Sequence, residues 1–245
     1  MSKAKFQRNR NIEAFLKEKK VSGEAFSKED IAYINQFIGY GGLASHGAKG
    51  KGLLSEYFTP IPIVEKMIGL AYKHGYSGGR VLEPSCGIGR FLHYFSPKTK
   101  VDAFEINETS FQIAKINFPT FQIHHQYFNE LFVARNGKPK AFSAKYDLVI
   151  GNPPYGDFIG KFSTKERQIT KATRYEEYFI TRGLDLLKKD GLLIFIIASS
   201  FLDGKDSNVK KAIQQKAKLL ESYRLPERIF DQTDIQTDIV VFQKL

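Results

Sequence analysis

Val81-Leu82-Glu83-Pro84-Ser85-Cys86-Gly87-Ile88-Gly89-Arg90-Phe91 reads as a short apolar strand, a turn carrying two glycines and the start of a helix. Glycines at such a turn let the backbone adopt torsions that other residues avoid and approach a ligand closely. A helix opening behind them would aim free N–H groups at a polar ligand edge. On its own, Gly-x-Gly more often marks a tight strand-to-helix turn with no ligand. Here the third glycine of a dinucleotide-binding turn is missing, and Glu83 stands beside the loop. A carboxylate there would repel a pyrophosphate and suit a cation.

Working outward, Val101-Asp102-Ala103-Phe104-Glu105-Ile106 reads as the next strand, with Glu105 at its tip and Asp102 inside it. A carboxylate about twenty residues beyond the glycine turn can accept both hydroxyls of a ribose. The plainer reading is an exposed strand-end charge. Upstream, Tyr57-Phe58-Thr59-Pro60-Ile61-Pro62 precedes a helical pattern over 63–72, and prolines suit a first helical turn because its N–H groups lack intrahelical partners. Downstream, Tyr146-Asp147-Leu148-Val149-Ile150 runs into Asn152-Pro153-Pro154-Tyr155. Two prolines cannot continue a strand ladder, so the strand must end there. It ends in a side-chain amide, a free carbonyl and an aromatic face, which together can hold a planar base by its amino group and ring.

Strands are expected near 80–84, 100–105, 120–124, 146–151 and 191–198, with helices between them, the clearest over 175–189. Such alternation implies a doubly wound, mainly parallel sheet. Leu219 to Leu225 and Asp238 to Phe242 look like two more strands with only a turn-rich stretch between, so they must pair antiparallel. Residues 1–55 read as a helical leader, with Ile12, Phe15 and Leu16 on one apolar face and Ser27 and Asp30 capping a second helix that carries Ile31, Ile34 and Phe37, followed by a glycine-dense basic linker from Gly39 that is expected to be mobile. The division expected is 1–55 and 56–245.

A chain of 245 residues with 42% apolar content can bury one α/β core and a small appendage. No run approaches the roughly twenty apolar residues of a membrane span, and no signal-peptide core is visible. No membrane partner is expected. The single Cys86 excludes internal disulfides and a cysteine zinc site, pointing to a reducing, cytoplasmic setting. A net charge of +11 favours a polyanionic partner. Lys161, Lys165, Arg167, Lys171 and Arg174 crowd the stretch after Asn152–Tyr155, and Lys205, Lys210, Lys211, Lys216 and Lys218 form a second group. A solvated face is the ordinary reading of either group, but the first would flank the mouth beside Asn152 and is expected to bind the substrate.

Taken together, the glycine turn, Asn152-Pro153-Pro154-Tyr155 and the Phe58-Thr59-Pro60 segment resemble the motifs of N6-adenine DNA methyltransferases, which use S-adenosylmethionine. The resemblance runs through 57–244. It implies an α/β, Rossmann-like methyltransferase fold, with a doubly wound seven-stranded sheet closed by an antiparallel hairpin and a small N-terminal helical extension. It places the cofactor among Tyr57, Phe58, Thr59, Pro60, Glu83, Pro84, Ser85, Cys86, Gly87, Gly89, Phe91, Glu105, Ile106 and Asn152. Gln126 stands where the family often carries an Asp facing the cofactor's adenine, so Gln126 or the backbone of Tyr127 would serve there. The Asn152 side-chain oxygen and the Pro153 carbonyl would accept both amino hydrogens of adenine, localising a lone pair otherwise delocalised into the ring. Pro154 completes the turn. The base would be extruded from the duplex, with Tyr155 stacked on one face and Phe230 covering the other. No general base is needed, and none of the five histidines sits in a motif.

Methylation of RNA or of a protein glutamine amide poses the same electronic problem and stands as an alternative. A third reading is a cofactor-binding subunit whose DNA contacts come from a specificity subunit or a larger polypeptide, since no residues after the final strand would form a recognition domain. Restriction-modification, anti-restriction and regulation are all compatible roles.

Overall fold

The computed structural model describes residues 3–39, 56–134, 136–156, 163–205, 207–230 and 234–245. The glycine-dense linker beyond Gly39 and Lys161 lie outside the described residues. Seven strands, β1 (Val81–Glu83), β2 (Val101–Glu105), β3 (Gln122–His125), β4 (Tyr146–Gly151), β5 (Leu187–Ala198), β6 (Ala217–Arg224) and β7 (Thr237–Lys244), form one sheet in the order β3-β2-β1-β4-β5-β7-β6. The first five pair in parallel, and β7 lies antiparallel between β5 and β6. The helices are α1 (Lys3–Ser22), α2 (Lys28–Ile34), α3 (Ile61–Lys73), α4 (Glu108–Asn117), α5 (Ser163–Thr170), α6 (Tyr175–Leu186), α7 (Ser200–Asp203) and α8 (Asn208–Lys216).

Side chains alternate across a strand, and the central strands are apolar on both faces. Leu148 and Ile150 of β4 and Leu192, Ile194 and Ile196 of β5 join the α3 side of the core. Val149, Leu193, Phe195 and Ile197 join the α6 side. Each such side chain fully buried contributes roughly 1.5–3 kcal/mol. A third cluster packs Ile12 and Leu16 of α1 and Ile34 of α2 with Phe37 against Ile88 of the glycine turn and Ile113 of α4. Ser27 and Asp30 form the expected reciprocal cap of α2, at 3.1 and 2.9 Å.

The sequence reading differs from the structure in three places. No helix follows the glycine turn; a chain of tight turns leads instead into a single 3₁₀ turn, Leu92–Tyr94. Gly87 and Gly89 both take positive φ, +56° and +88°, which an α-helix cannot incorporate, and Pro97 blocks extension from the other side. Second, the helix expected to reach 189 ends at Leu186, and β5 begins at Leu187. Leu187 pairs with Tyr146, the register then shifts, and the main ladder starts at Leu192. The residues between loop out, with Asp190 at φ 62°. Third, α2 ends at Ile34, so Phe37 is buried from the coil beyond the helix.

Candidate active site

The strand order reverses between β1 and β4, and the crevice at the carboxyl ends of strands at such a point is where open α/β sheets bind ligands. Glu83 ends β1, Glu105 ends β2, and Asn152 directly follows β4.

Glu83 is 1% exposed and its Oε2 has no hydrogen-bond partner among the described residues. Burial, with the charge of Glu105 added, pushes its carboxyl well above the ordinary range. Burial likewise raises the Cys86 thiol, so it is a packing group and not a thiolate. Glu105 accepts backbone N–H groups from Gly87 (2.8 Å), Ile106 (2.7 Å) and Asn107 (2.7 Å). Burial still raises its pKa against those three bonds. A carboxylate offers about four acceptor positions. A diol would therefore meet Glu105 through roughly one open position unless a backbone N–H let go.

The Tyr57–Pro60 segment folds over the glycine turn. The Arg90 guanidinium donates to the Thr59 carbonyl at 2.8 Å and lies 5.5 Å from the centroid of the Phe58 ring. That ring occupies the space a Cβ on Gly87 would need, 2.8 Å away, and leans on Phe37 at 6.2 Å between centroids. Pro60 caps α3, with Pro62 in its first turn.

Asn152 is fixed from three directions. Its side-chain amide donates to the Tyr57 carbonyl at 3.2 Å, its Oδ1 accepts from the Tyr155 hydroxyl, and its backbone carbonyl accepts from Ser85 Oγ at 3.2 Å. The Pro153 carbonyl accepts no hydrogen bond within the described residues. Buried Glu176, at the start of α6, accepts the Gly156 N–H at 3.3 Å and pairs with Arg174. Burial, with Glu176 nearby, raises the Tyr155 phenol well above its ordinary value.

A cavity of about 30 Å³ joins Tyr57, Phe58, Thr59, Glu83, Ser85, Cys86, Gly87, Phe91 and Asn152. It is large enough for a water or an ammonium group and too small for a nucleoside. The orphaned Glu83 oxygen facing this cavity suits a cation. Pro84 is buried beside it, and Gly89 packs against Phe118.

Other expected site residues lie apart. Gln126 is half-buried and Tyr127 exposed beyond the tip of β3; that tip is tied to β2 by His125 Nε2 and the Ile106 carbonyl at 2.9 Å. Phe230 is 3% exposed and sits 6.3 Å from Tyr57 within the core cluster on which Tyr155 packs. Of the basic group, Lys165 donates to the Gly137 carbonyl, Arg174 pairs with Glu176, and Arg167 and Lys171 are exposed. Three positioning residues escaped the sequence reading: Ser85 as a donor to Asn152, Arg90 and Glu176. The adjacent carboxylates Glu176 and Glu177, opening the second helix after the double proline, were the available signal for the last.

Among the described residues no group of His, Cys, Asp and Glu could hold a metal ion, and no helix is long and apolar enough to cross a membrane.

Residues 62–230 match the model of the Eco57I restriction-modification methylase family. The "Defense against restriction protein B" of Escherichia phage P1 is 29% identical over 231 residues, covering 91% of this chain but 9% of the phage protein. The type II methyltransferase M.AccI of Acinetobacter calcoaceticus is 28% identical over 204 residues, 76% of this chain and 36% of its own length. The methyltransferase subunit of a type I restriction-modification system from Streptococcus thermophilus shares the fold, with a TM-score of 0.62 at 20% identity over 78% of this chain and 46% of that one. The chain thus spans less than half the length of each.

Proposed function

The chain belongs to the Eco57I restriction-modification methylase family, and from that premise we propose that it transfers a methyl group from S-adenosylmethionine to the N6 amino group of adenine in DNA. The observation that carries this reading is Asn152, held by Tyr57, Tyr155 and Ser85 at the tip of β4 beside the cavity that Glu83 faces. When bound, the cofactor supplies an electrophilic methyl on a positively charged sulfur. The lone buried oxygen of Glu83 suits its ammonium end, and Glu105 suits its ribose. Thr59 closes over the methionine carboxylate, and the β3 tip at Gln126 and Tyr127 borders its adenine.

Asn152 Oδ1 and the Pro153 carbonyl accept the two amino hydrogens of the target base. Both are dipoles fixed before the substrate arrives, so they stabilise positive charge building on nitrogen without reorganising. Tyr155 offers its ring to the extruded base, a contact worth roughly 1–3 kcal/mol; Phe230 lines the opposite wall. Arg167 and Lys171 contact phosphates near the mouth. Residues 56–245 act as the transferase unit, and α1 and α2 brace its cofactor lid. Target selection rests on further polypeptide or a partner subunit, as the small share of the phage P1 protein covered suggests.

Asn152→Ala tests the reading. S-adenosylmethionine binding, by calorimetry, should stay within a few-fold, while methylation of duplex DNA falls about 10²–10³-fold, the usual loss for one preorganised dipole. Digestion to nucleosides identifies the methylated base, and parallel RNA and protein substrates exclude the alternatives. Undiminished N6-methyladenine from the variant would sink the mechanism.

A further inference from the structure

A second concavity lies at the opposite edge of the sheet. A cleft of about 590 Å³ is walled by Arg80 before β1, Lys98 and Lys100 before β2, Lys145 and Asp147 around the start of β4, and Lys188 of β5. Its floor is ordered by two carboxylates. Asp147 accepts the Arg80 backbone N–H at 2.7 Å and Lys188 Nζ at 2.8 Å. Asp102, beneath the wall, holds the Arg80 guanidinium at 2.8 Å and the Tyr146 hydroxyl at 2.7 Å. Five cations thus face two carboxylates. Lys98 and Lys100 are exposed and among the described residues have no carboxylate partner, and Lys145 has only a distant one in Asp102 at 3.8 Å. Concentrating like charges in one concavity is unfavourable unless an anion shares it.

We propose that this cleft binds the phosphodiester backbone of nucleic acid, as a contact separate from the one at Asn152. The lining separates a polymer from a small phosphate. The one guanidinium fork is already engaged by Asp102, so no planar bidentate cradle is available. The remaining cations are ammonium groups on flexible stems, drawn from three separate segments. Spread point charges match a run of evenly spaced phosphates better than one compact ligand. The cleft also lies at the amino ends of strands whose carboxyl ends carry Glu83, Glu105 and Asn152. Lys100 in the cleft and Glu105 in the site stand five residues apart along β2, roughly 17 Å at about 3.3 Å per residue, and Arg80 and Glu83 three residues apart along β1, roughly 10 Å. The cleft therefore engages a different stretch of backbone from the one presenting the target base, and it holds DNA whether or not methyl transfer occurs.

The inference takes nucleic acid from the function proposed above, and its test separates the two. Binding of a fluorescein-labelled duplex is followed by anisotropy at several salt concentrations, for the full chain and for Lys98→Gln/Lys100→Gln. Each lost phosphate contact should reduce the slope of log K against log salt by about 0.9, so the double variant should lose close to 2 units of slope. S-adenosylmethionine binding, read separately by calorimetry, should be unchanged. Lys210→Gln/Lys211→Gln on α8 serves as the control for loss of charge alone. An unchanged slope in the cleft variant, a loss equal to the control's, or no duplex binding by the parent chain would each overturn the proposal. So would inorganic triphosphate binding that depends on Lys98 and Lys100 while the duplex slope does not. Failure of methyl transfer with the slope difference intact would overturn the function proposed above and leave the cleft standing.

Discussion

Glu83 carries a buried carboxyl whose Oε2 has no hydrogen-bond partner among the described residues. Because burial raises its pKa, the folded chain keeps a proton that the unfolded chain releases above its ordinary value of 4.5. Unfolding then releases that proton, so this group makes stability fall as pH rises from about that value until its folded pKa is passed. Glu105, which faces it, is shifted the same way, and burial keeps the neighbouring Cys86 neutral. Asp102 has the opposite sign. Burial pushes it up, but the nearby His124 at 3.9 Å and hydrogen bonds from Tyr146 and Arg80 outweigh that and hold it below 3.8, so its contribution is lost on acidification. The comparison of interest is therefore a difference between proteins. Glu83→Gln should flatten the decline in stability above pH 4.5, measured by urea unfolding across pH. A cationic ligand reverses the preference at Glu83 and expels its proton, so S-adenosylmethionine should bind more tightly as pH rises, with a heat that depends on the buffer. Glu83→Gln should show neither effect; if it kept both, Glu83 would not be the group involved.

Between elements, the strongest polar tie is the one fastening α5 to α6. Arg182 reaches Glu166 at 2.7 and 2.8 Å and Asp185 at 3.0 Å, Tyr178 donates to Glu166 at 3.0 Å, and the guanidinium lies 4.4 Å from the Phe132 ring centroid. Arg182 and Glu166 are both buried. Removing one partner strands a charge, so Arg182→Met should cost about 3–5 kcal/mol. Adding Glu166→Gln should restore part of it; equilibrium denaturation of the single and double variants measures both, and full additivity would refute the coupling. Element boundaries also show the limits of pattern reading. The double proline fixed the end of β4 because proline cannot pair, and that expectation held to the residue. Past Gly89 the strand-turn pattern suggested the start of a helix, but left-handed torsions on one side and Pro97 on the other left room for one 3₁₀ turn only. Torsions of that kind are permitted by glycine without being required, so the sequence alone could not show them.

Over the whole molecule, strand alternation and the two helix-free final strands were enough to expect a mainly parallel sheet with an antiparallel pair at its end, though not the order of the strands. The partners of the first two helices were not legible. Ile12, Leu16 and Ile34 mark an apolar face, but nothing in their spacing says that it closes on Ile88 and Ile113. Nor could spacing bring Ser85 or Glu176 to the Asn152 turn, or four separated basic segments to one cleft, because those neighbours arise from tertiary packing alone. If the helices share one core with the sheet, Ile12→Ala should cost about 2–5 kcal/mol. The loss should appear equally in probes on α1 and on the sheet, as for a single cooperative transition. Separate transitions would mean that the leader is an independent unit. The Phe58 ring, seated where Gly87 leaves room, acts as a doorstop in this arrangement. If a nucleoside enters only when that ring has swung aside, observed affinity is the intrinsic affinity scaled by the open fraction. How tightly Arg90 and Phe37 grip the ring thus tunes occupancy from outside any contact with the guest.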